Sequence, residues 1–250
     1  MGVKIKAVVL AAGKGTRMQD EASDAPKVMR QVCGKPMIWY VLDALSFIDK
    51  RDIIIVVGYK KEDVIACFGG YTFAVQEEQL GTGHATMAAQ AELAGFDGAV
   101  LICCGDMPLI MHETYESLLR EHLRQENDCT ILTSETTRLL PFGRIVRDEK
   151  GGFSNIVEDK DCTQDQLRIT ELNTGLYVFS AQLLLTSLKE LKAENAQGEY
   201  YLTDIPAIMR ATGAKVGTFK QSLDDGIIGV NTLEQLVQVE GIIKQRGTGN

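Results

Sequence analysis

Short apolar runs rich in Val and Ile alternate with helix-length amphipathic segments along most of this 250-residue chain. The runs predict strands, and their alternation with helices is typical of a mostly parallel sheet covered by helices. We predict strands at Ile5–Leu10, Asp52–Val57, Ala99–Cys104, Cys129–Thr133 and Lys215–Lys220. The predicted helices are Pro36–Phe47, Lys61–Cys67, Gly83–Leu93, His112–Gln125, Ala181–Leu191 and Thr203–Ala211. The pair Thr203-Asp204 predicts the N-cap of the helix that ends at Ala211. The sequence therefore predicts an α/β fold.

Two segments depart from this alternation. Residues 143–180 have no helical pattern and predict a β-rich stretch with a turn at Gly151-Gly152. From Asn231 onward the chain predicts one amphipathic helix, with apolar positions at Leu233, Leu236 and Val237. Because no linker interrupts the earlier part, we expect one domain over residues 1–230, followed by a helix and tail over residues 231–250.

The charge balance restricts the classes of partner. The chain carries 26 Lys and Arg against 34 Asp and Glu, a net charge of −8. We therefore expect no nucleic-acid partner, because binding to phosphate backbones rests on clustered cations. A small anionic substrate, held by a few local cations or a metal ion, is compatible with this balance.

No apolar run reaches the roughly 18 residues of a membrane span, and the N-terminus is too polar for a signal peptide. We expect a cytoplasmic protein with no membrane partner.

The cysteines and histidines favour no metal or disulfide framework. The six cysteines include no C-x-x-C pair, and the three histidines lack the spacing of zinc ligands. A chain of this length buries enough surface to fold without such supports. We predict six reduced thiols and no zinc site.

The first predicted strand ends in a loop of small residues that suits an anion. The segment Ala11-Ala12-Gly13-Lys14-Gly15 lets the backbone approach a phosphate and direct N–H groups at it. Met18 stands where the third glycine of the dinucleotide fingerprint belongs, which disfavours a nicotinamide cofactor. Arg17 and Lys27 add two cations. Lys27 follows the loop at a distance that could return its ammonium group to the same phosphates.

A second motif, QEEQLGTGHA, covers Gln76 to Ala85. Its amide side chains and its Gly-Thr turn suit the hydrogen-bonding edge of a pyrimidine base. An equally plain interpretation is a turn followed by a helix start near Thr82. We interpret His84 as a helix residue and not as a catalyst.

A third motif places Asp106 directly after a predicted buried strand, in the segment GDMPL. Ligands of open α/β sheets bind at this end of the strands. One carboxylate is the usual protein share of a Mg²⁺ site, with phosphates and water completing the coordination. The alternative is a strand-end aspartate that caps a helix.

The order of these motifs resembles that of one family. Between about Ile5 and Leu236 the chain contains LAAGKGTRM, PKVM, GKPM, EEQLGTGHA, GDMPL, GRIVRD, IVEDKD, LNTG, NAQGEYYLTD and GVN. All sugar-phosphate nucleotidyltransferases share the opening loop, whereas QLGTGHA together with NAQGEYYLTD is far more specific. The chain resembles the uridylyltransferase domain of bacterial N-acetylglucosamine-1-phosphate uridylyltransferases.

The resemblance implies a fold and an activity. The fold is a Rossmann-like mixed, mostly parallel sheet of the nucleotide-diphospho-sugar transferase type, with a β-rich sugar-binding insertion in the portion covering about residues 140–230. The activity is Mg²⁺-dependent transfer of a uridylyl group from UTP to N-acetylglucosamine 1-phosphate. Its products are UDP-N-acetylglucosamine and pyrophosphate.

The resemblance also implies roles for individual residues. Arg17 and Lys27 would contact the phosphates and act in catalysis, and Asp106 and Asn231 would bind Mg²⁺. The implied nucleotide-binding residues are Leu10, Ala11, Ala12, Gly13, Gln76, Gly81, Thr82, Cys104 and Gly105. The implied sugar-binding residues are Gly143, Glu158 and Asn173.

The chain departs from the family's pattern at several places. The segment before Lys27 is longer and contains the acidic Gln19-Asp20-Glu21, Cys104 stands at a position that is often aromatic, and Phe142 replaces an expected tyrosine. No segment after residue 250 supplies the hexapeptide-repeat β-helix of bifunctional members. We therefore expect a monomer that does not transfer acetyl groups.

Two alternatives remain open. The same chemistry could act on another nucleotide or another sugar 1-phosphate, such as glucose 1-phosphate. The chain could also be a sugar-nucleotide-binding module without catalysis. The joint presence of Arg17, Lys27, Asp106 and Asn231 disfavours that second alternative, because a binding module need not retain all four.

Overall fold

A mixed β-sheet forms the centre of the computed structural model, which describes residues 3–18, 24–138 and 140–247, apart from the side chain of Arg17. The strands are β1 Ile5–Leu10, β2 Gln31–Val32, β3 Lys35–Pro36, β4 Ile53–Val57, β5 Thr72–Val75, β6 Ala99–Cys104, β7 Cys129–Glu135, β8 Arg144–Arg147, β9 Phe153–Val157, β10 Glu171–Ser180 and β11 Val216–Lys220. The short strands β2 and β3 form a separate hairpin.

Eight α-helices accompany the sheet in the described residues. They are α1 Met37–Ala44, α2 Lys61–Cys67, α3 Thr82–Ala88, α4 Gln90–Leu93, α5 His112–Gln125, α6 Ala181–Ser187, α7 Ile205–Ala211 and α8 Leu233–Gly247. Short 3₁₀ turns connect several of them, among them Lys27–Met29 and Leu202–Asp204.

The strand order is β11-β7-β10-β6-β1-β4-β5, and β8 extends the sheet from β10 and pairs with β9. Strand β1 is parallel to both β4 and β6, and the pairs β4–β5 and β7–β11 are also parallel. Strand β10 runs antiparallel to β6 and β7. The predicted mixed, mostly parallel sheet is therefore confirmed.

The central strands are buried on both faces, because helices cover both sides of the sheet. All five residues of β4 are buried. Val9, Ile55 and Leu101 contribute to the core on one face, and their neighbours Val8, Ile54 and Val100 contribute to the core on the other. Continuous apolar runs, without the alternation of a half-exposed strand, are the expected sequence of such strands.

Strand β10 contains an irregularity near its amino end. Asn173 lies opposite Thr133 on β7, and Tyr177 lies opposite Ile131, so two extra residues of β10 bulge from the ladder. Gly175 lies within this bulge and has a φ of +76°. Bulges re-aim side chains and are common beside active sites.

The C-terminal helix begins with a reciprocal cap. Thr232 Oγ1 accepts a hydrogen bond from the Gln235 backbone N–H, and Gln235 Oε1 accepts from the N–H groups of Asn231 and Thr232. This is the T-x-x-Q form of a capping box. The cap holds Asn231 directly before the helix.

The buried face of α8 differs from the predicted one. Val239 is fully buried, and Leu236, Ile242 and Ile243 pack beside it in a cluster with Met18, Val32 and Leu109. Of the predicted stripe, Leu236 joins this cluster, whereas Leu233 is 38% exposed and Val237 is 69% exposed. The contact surface therefore lies further along the helix than the prediction placed it.

Other predicted elements differ from the observed ones at particular points. The predicted helix Gly83–Leu93 is interrupted between α3 and α4, and the sequence reading missed β5 and the β2–β3 hairpin. Asp204 occupies the predicted N-cap position of α7, but its side chain makes no capping bond there. The Thr203 hydroxyl donates to Glu158 instead.

None of the described helices is long and apolar enough to cross a membrane. All six cysteines are free thiols, and Cys103 and Cys129 are buried.

His122 is a buried histidine on α5, and it makes the stability of the fold depend on pH. Burial lowers the pKa of His122 to about 4, although the nearby Asp128 opposes this shift. His122 Nδ1 lies 3.0 Å from Thr130 Oγ1, which also accepts a hydrogen bond from Asn127 Nδ2. Because its pKa is lowered, the His122 ring is neutral in the folded protein at neutral pH.

We expect the free energy of unfolding to fall as the pH drops from 6.5 towards 4, because the unfolded chain binds a proton at His122 in this range and the folded chain does not. The change His122→Asn, which keeps a hydrogen-bonding side chain beside Thr130 and removes the titrating ring, should reduce this acid-induced loss by about 2 kcal/mol. Urea unfolding at neutral and acidic pH measures the difference, with His112→Asn as the control. An acid-induced loss of the same size in His122→Asn and in the wild type would contradict the assignment.

Candidate active site

The carboxyl ends of the parallel strands and the amino end of β10 meet at one edge of the sheet. Ligands of open α/β sheets bind in the crevice outside this edge. Two cavities lie there, one of about 280 Å³ and one of about 160 Å³. They share the lining residues Leu10, Thr82, Cys104 and Asp106.

A cation and two oxygen-bearing side chains occupy the junction of the two cavities. The Lys27 ammonium donates to Asp106 Oδ2 at 2.5 Å and to Asn231 Oδ1 at 2.7 Å. The side chains of Lys27 and Asp106 are 13% and 23% exposed. An ion pair so largely removed from water is stronger than a surface pair, because less solvent screens it.

The loop after β1 holds Lys27 in this position. Gly15 has a φ of +67°, and a Cβ atom built on it would lie 2.6 Å from the Lys27 Cβ. A side chain at residue 15 would therefore push Lys27 away from the edge of the sheet. The acidic Gln19-Asp20-Glu21 lies outside the described residues, and Lys27 reaches Asp106 across the longer segment.

Asp106 and Asn231 are joined through the backbone as well. The Val230 N–H donates to the Asp106 carbonyl at 2.9 Å, and the α8 cap fixes the next residue, Asn231. Asp106 does not cap a helix, since α5 begins at His112 with Met111 as its capping residue. The alternative interpretation of Asp106 as a helix cap is therefore wrong.

The larger cavity, which we call the nucleotide cavity, combines the first loop with the second motif. It is lined by Leu10, Ala11, Ala12, Gly13, Lys27, Val28, Gln76, Gln79, Gly81, Thr82, Ala85, Cys104, Asp106 and Glu199. The predicted Gly105 does not line it. The Gly105 N–H donates to the Leu10 carbonyl at 2.9 Å, so this residue supports the cavity floor from behind.

The Gly81 turn is packed tightly against Glu199 and Tyr200, in the middle of the NAQGEYYLTD motif. Gly81 has φ 108° and ψ 174°, a conformation open essentially to glycine alone. The Gly83 N–H donates to the Tyr200 carbonyl at 2.7 Å, and the Tyr200 N–H donates to the Leu80 carbonyl at 2.8 Å. The two most specific motifs of the sequence are thus neighbours that bond to each other.

The smaller cavity, which we call the sugar cavity, lies beside β10. Besides the four shared residues it is lined by Met107, Pro141, Phe142, Gly143, Glu158, Asn173, Thr174, Gly175, Tyr177, Leu202, Thr203, Gly229 and Asn231. Asn173 is buried, donates from Nδ2 to the Tyr177 hydroxyl at 2.8 Å and accepts the Gly175 N–H at Oδ1. Its amide is therefore held in one orientation.

Glu158 presents a carboxylate to the sugar cavity. Burial raises the pKa of Glu158 above its ordinary value, the hydrogen bond from Thr203 counters this, and nearby Asp204 adds to it. The Thr203 hydroxyl donates to Oε1 at 2.9 Å. The second carboxylate oxygen, Oε2, is available to a polar ligand of this cavity.

Arg144 contacts two segments that form walls of the sugar cavity. Its side chain is 4% exposed and lies 3.1 Å from Asp159, the neighbour of Glu158. It also donates to the carbonyl oxygen of Phe142, the neighbour of Gly143. One buried cation therefore ties together the two segments that carry predicted sugar-binding residues.

The junction of the cavities has a donor set that fits Mg²⁺. Asp106 and Asn231 already direct two oxygen atoms at one cation, the Lys27 ammonium. Within the described residues no three His, Cys, Asp or Glu side chains cluster to hold a metal ion. Mg²⁺ often takes few protein ligands and completes its octahedron with substrate phosphates and water.

The structure brings nearly all of the predicted site residues to this crevice. Every predicted residue with a described side chain lines one of the two cavities, except Gly105. The backbone of Arg17 lies in the 3₁₀ turn Thr16–Met18, and its side chain lies outside the description. The sequence prediction did not name Gln79, Glu199, Thr203 and Arg144 as individual site residues, although Thr203 was expected to cap a helix. Each lies within a motif quoted for the resemblance, which is the signal that could have identified it.

Comparisons with known proteins agree with this geometry. The sequence model of the MobA-like NTP transferase domain family matches residues 7–206. The chain belongs to this family, and it is a nucleotidyltransferase.

Curated relatives extend the match over almost the whole chain. The bifunctional protein GlmU of Exiguobacterium sp. is 46% identical over 241 residues, and that of Lactobacillus delbrueckii subsp. bulgaricus is 44% identical over 240 residues. GlmU of Streptococcus equi subsp. zooepidemicus is 43% identical over 245 residues, which cover 98% of this chain. The first two matches each cover 96% of the chain. The chain spans about half the length of these relatives, 51% to 53%. The resemblance drawn from the motifs is confirmed.

A solved structure supports the fold. A putative glucose-1-phosphate thymidylyltransferase from Bacillus anthracis superposes with a TM-score of 0.73 at 21% identity. The superposition covers 96% of this chain and 95% of the other.

We expect the change Gly81→Ala to damage the nucleotide cavity. A Cβ atom at Gly81 would lie 2.6 Å from the Tyr200 carbonyl oxygen and 2.9 Å from the Glu199 Cβ. The change should lower the free energy of unfolding by about 1–3 kcal/mol and weaken nucleotide binding. Urea unfolding and calorimetric titration with UTP measure the two effects.

Gly95→Ala is the matched control. Gly95 also has a positive φ of +71°, and a Cβ atom there would have nothing within 4 Å. Equal effects of the two changes on nucleotide binding would show that the contact with Tyr200 does not matter.

Proposed function

We propose that this chain transfers a uridylyl group from UTP to N-acetylglucosamine 1-phosphate, with UDP-N-acetylglucosamine and pyrophosphate as products. The observation that carries the proposal is the pair of cavities that share Asp106, with Lys27 bonded across their junction. Such a pair suits the transfer of a group between two anions. The similarity to proteins named GlmU supports this choice of substrates.

The reaction requires alignment more than acid–base chemistry. A phosphate oxygen of the sugar phosphate attacks the α-phosphorus of UTP and forms a new P–O bond. The bond from the α-phosphorus to the oxygen shared with the β-phosphate breaks, and pyrophosphate leaves with the electron pair. The attacking phosphate is already an anion, so no general base is needed, and positioning with charge neutralisation supplies the acceleration.

The residues of the nucleotide cavity support particular roles in this proposal. The backbone of Ala11, Ala12 and Gly13 lies where it can approach the phosphates of UTP. Gln76, Gly81 and Thr82 line the same cavity and are proposed to read the base. Cys104 and Asp106 lie between the base side and the sugar side of the crevice.

Lys27 is the proposed catalytic cation. When bound between Asp106 and Asn231, Mg²⁺ would neutralise charge on the phosphates and the leaving group. With Asp106 and Asn231 holding a metal ion, the Lys27 ammonium would exchange its bonds to these side chains for the phosphates of the substrates. Arg17 remains proposed as a second phosphate contact on the evidence of the sequence alone.

We propose that the part of the chain at about residues 140–230 binds the sugar. The lining of the sugar cavity supports recognition of an N-acetylated sugar. The Asn173 amide and the Glu158 carboxylate face the same cavity as Gly143. An amide and a carboxylate can donate to and accept from the ring hydroxyls and the acetamido group of the sugar.

We also propose that the chain acts as a monomer in the cytoplasm. The apolar face of α8 packs against Met18, Val32 and Leu109 of the same chain, which leaves this face unavailable to a second copy. Light scattering should give a mass near 27.4 kDa. A mass three times larger would contradict the proposal.

The change Asp106→Asn should reduce kcat by roughly 10²–10³-fold, because it removes the one carboxylate at the junction of the cavities. Urea unfolding should show that the fold is retained, since Asp106 lies at a strand end outside the core. EDTA should silence the wild-type enzyme. A pyrophosphate-release assay with UTP, N-acetylglucosamine 1-phosphate and Mg²⁺ measures these effects.

Asp165→Asn is the control for this experiment, because the Asp165 side chain is 93% exposed and lines neither cavity. Undiminished pyrophosphate release by Asp106→Asn would rule out the proposed role of Asp106.

The sugar preference distinguishes the proposed substrate from others. The wild type should prefer N-acetylglucosamine 1-phosphate over glucose 1-phosphate in kcat/KM, because a polar pocket left unpaired discriminates strongly. Asn173→Ala should narrow that preference by about tenfold or more. Asn155→Ala, on β9 and outside both cavities, should leave it unchanged. Equal use of the two sugars by the wild type would favour another sugar 1-phosphate as the substrate.

A further inference from the structure

His84 lies directly behind the Gln76 side chain and does not line either cavity. It is the third residue of α3, whose start is fixed by the bond from the Gly83 N–H to Tyr200. Its Nδ1 lies 3.1 Å from Gln76 Nε2. The His84 ring also faces Tyr200, with ring centroids 6.2 Å apart. His84 therefore has a fixed place next to a residue proposed to read the base.

The neighbours of Gln76 determine which end of its amide faces the nucleotide cavity. Gln76 Nε2 donates to the Gly81 carbonyl at 3.2 Å. A carbonyl oxygen can only accept, so the nitrogen end of the amide must lie on this side. The second Nε2 hydrogen points to His84 Nδ1, which must then be unprotonated and carry its ring proton on Nε2.

Both amide hydrogens are therefore engaged by protein acceptors, the Gly81 carbonyl and His84 Nδ1. The polar atom that Gln76 can offer to a ligand is its carbonyl oxygen Oε1. The backbone of Gln76 is fixed as well, because its N–H donates to the Val57 carbonyl at 2.8 Å. The cavity thus offers an acceptor at this position.

We propose that His84 is a positioning residue that makes the nucleotide cavity selective for uracil over cytosine. The inference rests on the proposed function, in which Gln76 reads the base. Uracil carries an N–H group at ring position N3, whereas cytosine carries a lone pair there. An acceptor at Gln76 Oε1 therefore bonds to uracil N3 and repels cytosine N3. If the amide were free to turn over, Nε2 would donate to cytosine at the same place.

The Gln76 amide has two partners at Nε2, the Gly81 carbonyl and His84. Removal of His84 would leave the Gly81 carbonyl to hold the amide. One hydrogen bond of this kind is worth about 0.5–1.5 kcal/mol, which corresponds to a change of roughly three- to tenfold in a binding ratio. The selectivity should fall by this factor and should not vanish.

The test compares the binding of UMP and CMP to the full chain by calorimetry. His84→Leu removes the acceptor at similar side-chain size. His84→Asn keeps an acceptor, because its Oδ1 stands at the same distance from the backbone as the Nδ1 of histidine. His112→Leu, on α5 at a distance from the cavity lining, controls for the loss of a histidine.

We expect the wild type, His84→Asn and His112→Leu to prefer UMP, and His84→Leu to lose roughly three- to tenfold of that preference. The loss should come from tighter binding of CMP as well as weaker binding of UMP. An unchanged preference in His84→Leu would overturn the inference and leave the proposed function standing. Equal binding of UMP and CMP by the wild type would overturn both.

A second measurement needs no substitution. The two-bond correlations of the imidazole nitrogens in NMR spectra of the wild type identify the tautomer of His84. We expect Nδ1 to be unprotonated and Nε2 to carry the proton. A proton on Nδ1 would place a donor against Gln76 and overturn the inference.

Discussion

The bonds of the Lys27 ammonium to Asp106 and Asn231 are the interaction on which the arrangement of the site depends. They join three segments that are distant in sequence: the loop after β1, the end of β6 and the residue before α8. Each segment has its own support. Gly15 admits Lys27 to the loop, the Gly105 N–H bonds to Leu10, and the Val230 N–H bonds to Asp106. A largely buried charge requires such partners, because an unpaired charge away from water is costly.

The direction of β10 explains why two cavities open at the same edge of the sheet. All the other strands on the main path of the sheet run parallel, so their carboxyl ends meet at one edge. β10 runs against them and therefore brings its amino end, with Asn173 and the bulge at Gly175, to that same edge. A Cβ atom at Gly175 would lie 3.6 Å from Cys104 Sγ, which shows how closely the sugar side approaches the nucleotide side. The hairpin β8–β9 extends from β10 and supplies Gly143 and Glu158 at its ends.

Physical patterning predicted best the elements with a clear local signal. β1 and α5 have their predicted bounds, because a continuous apolar run indicates a buried strand and a 3.6-residue period indicates an amphipathic helix. α2 also has its predicted bounds, although only Val64 of this helix is buried. β5 and the β2–β3 hairpin were missed because they are short and mixed in polarity.

Thr203 was expected to cap a helix, a local role, but the fold places its hydroxyl against Glu158, which lies 45 residues away. The buried face of α8 was misplaced because Leu233 and Val237 satisfy the period while the body of the protein contacts the next turns. The phosphate loop, Lys27 and Asp106 were predicted from the residues themselves. The roles of Asn231 and of the sugar-binding residues came from the resemblance, since spacing alone does not bring Lys27, Asp106 and Asn231 together.

The central claim is that Asp106 and Asn231 form a metal site which Lys27 vacates for the phosphates of a nucleotide. Crystals grown with UDP-N-acetylglucosamine and Mn²⁺ test it most directly, because the anomalous signal of Mn²⁺ locates the metal independently of the protein density. We expect one anomalous peak bonded to Asp106 and Asn231, with the Lys27 ammonium withdrawn from both oxygen atoms and directed at the phosphates. A bound nucleotide with Lys27 still between Asp106 and Asn231, or a manganese peak elsewhere in the crevice, would contradict this account.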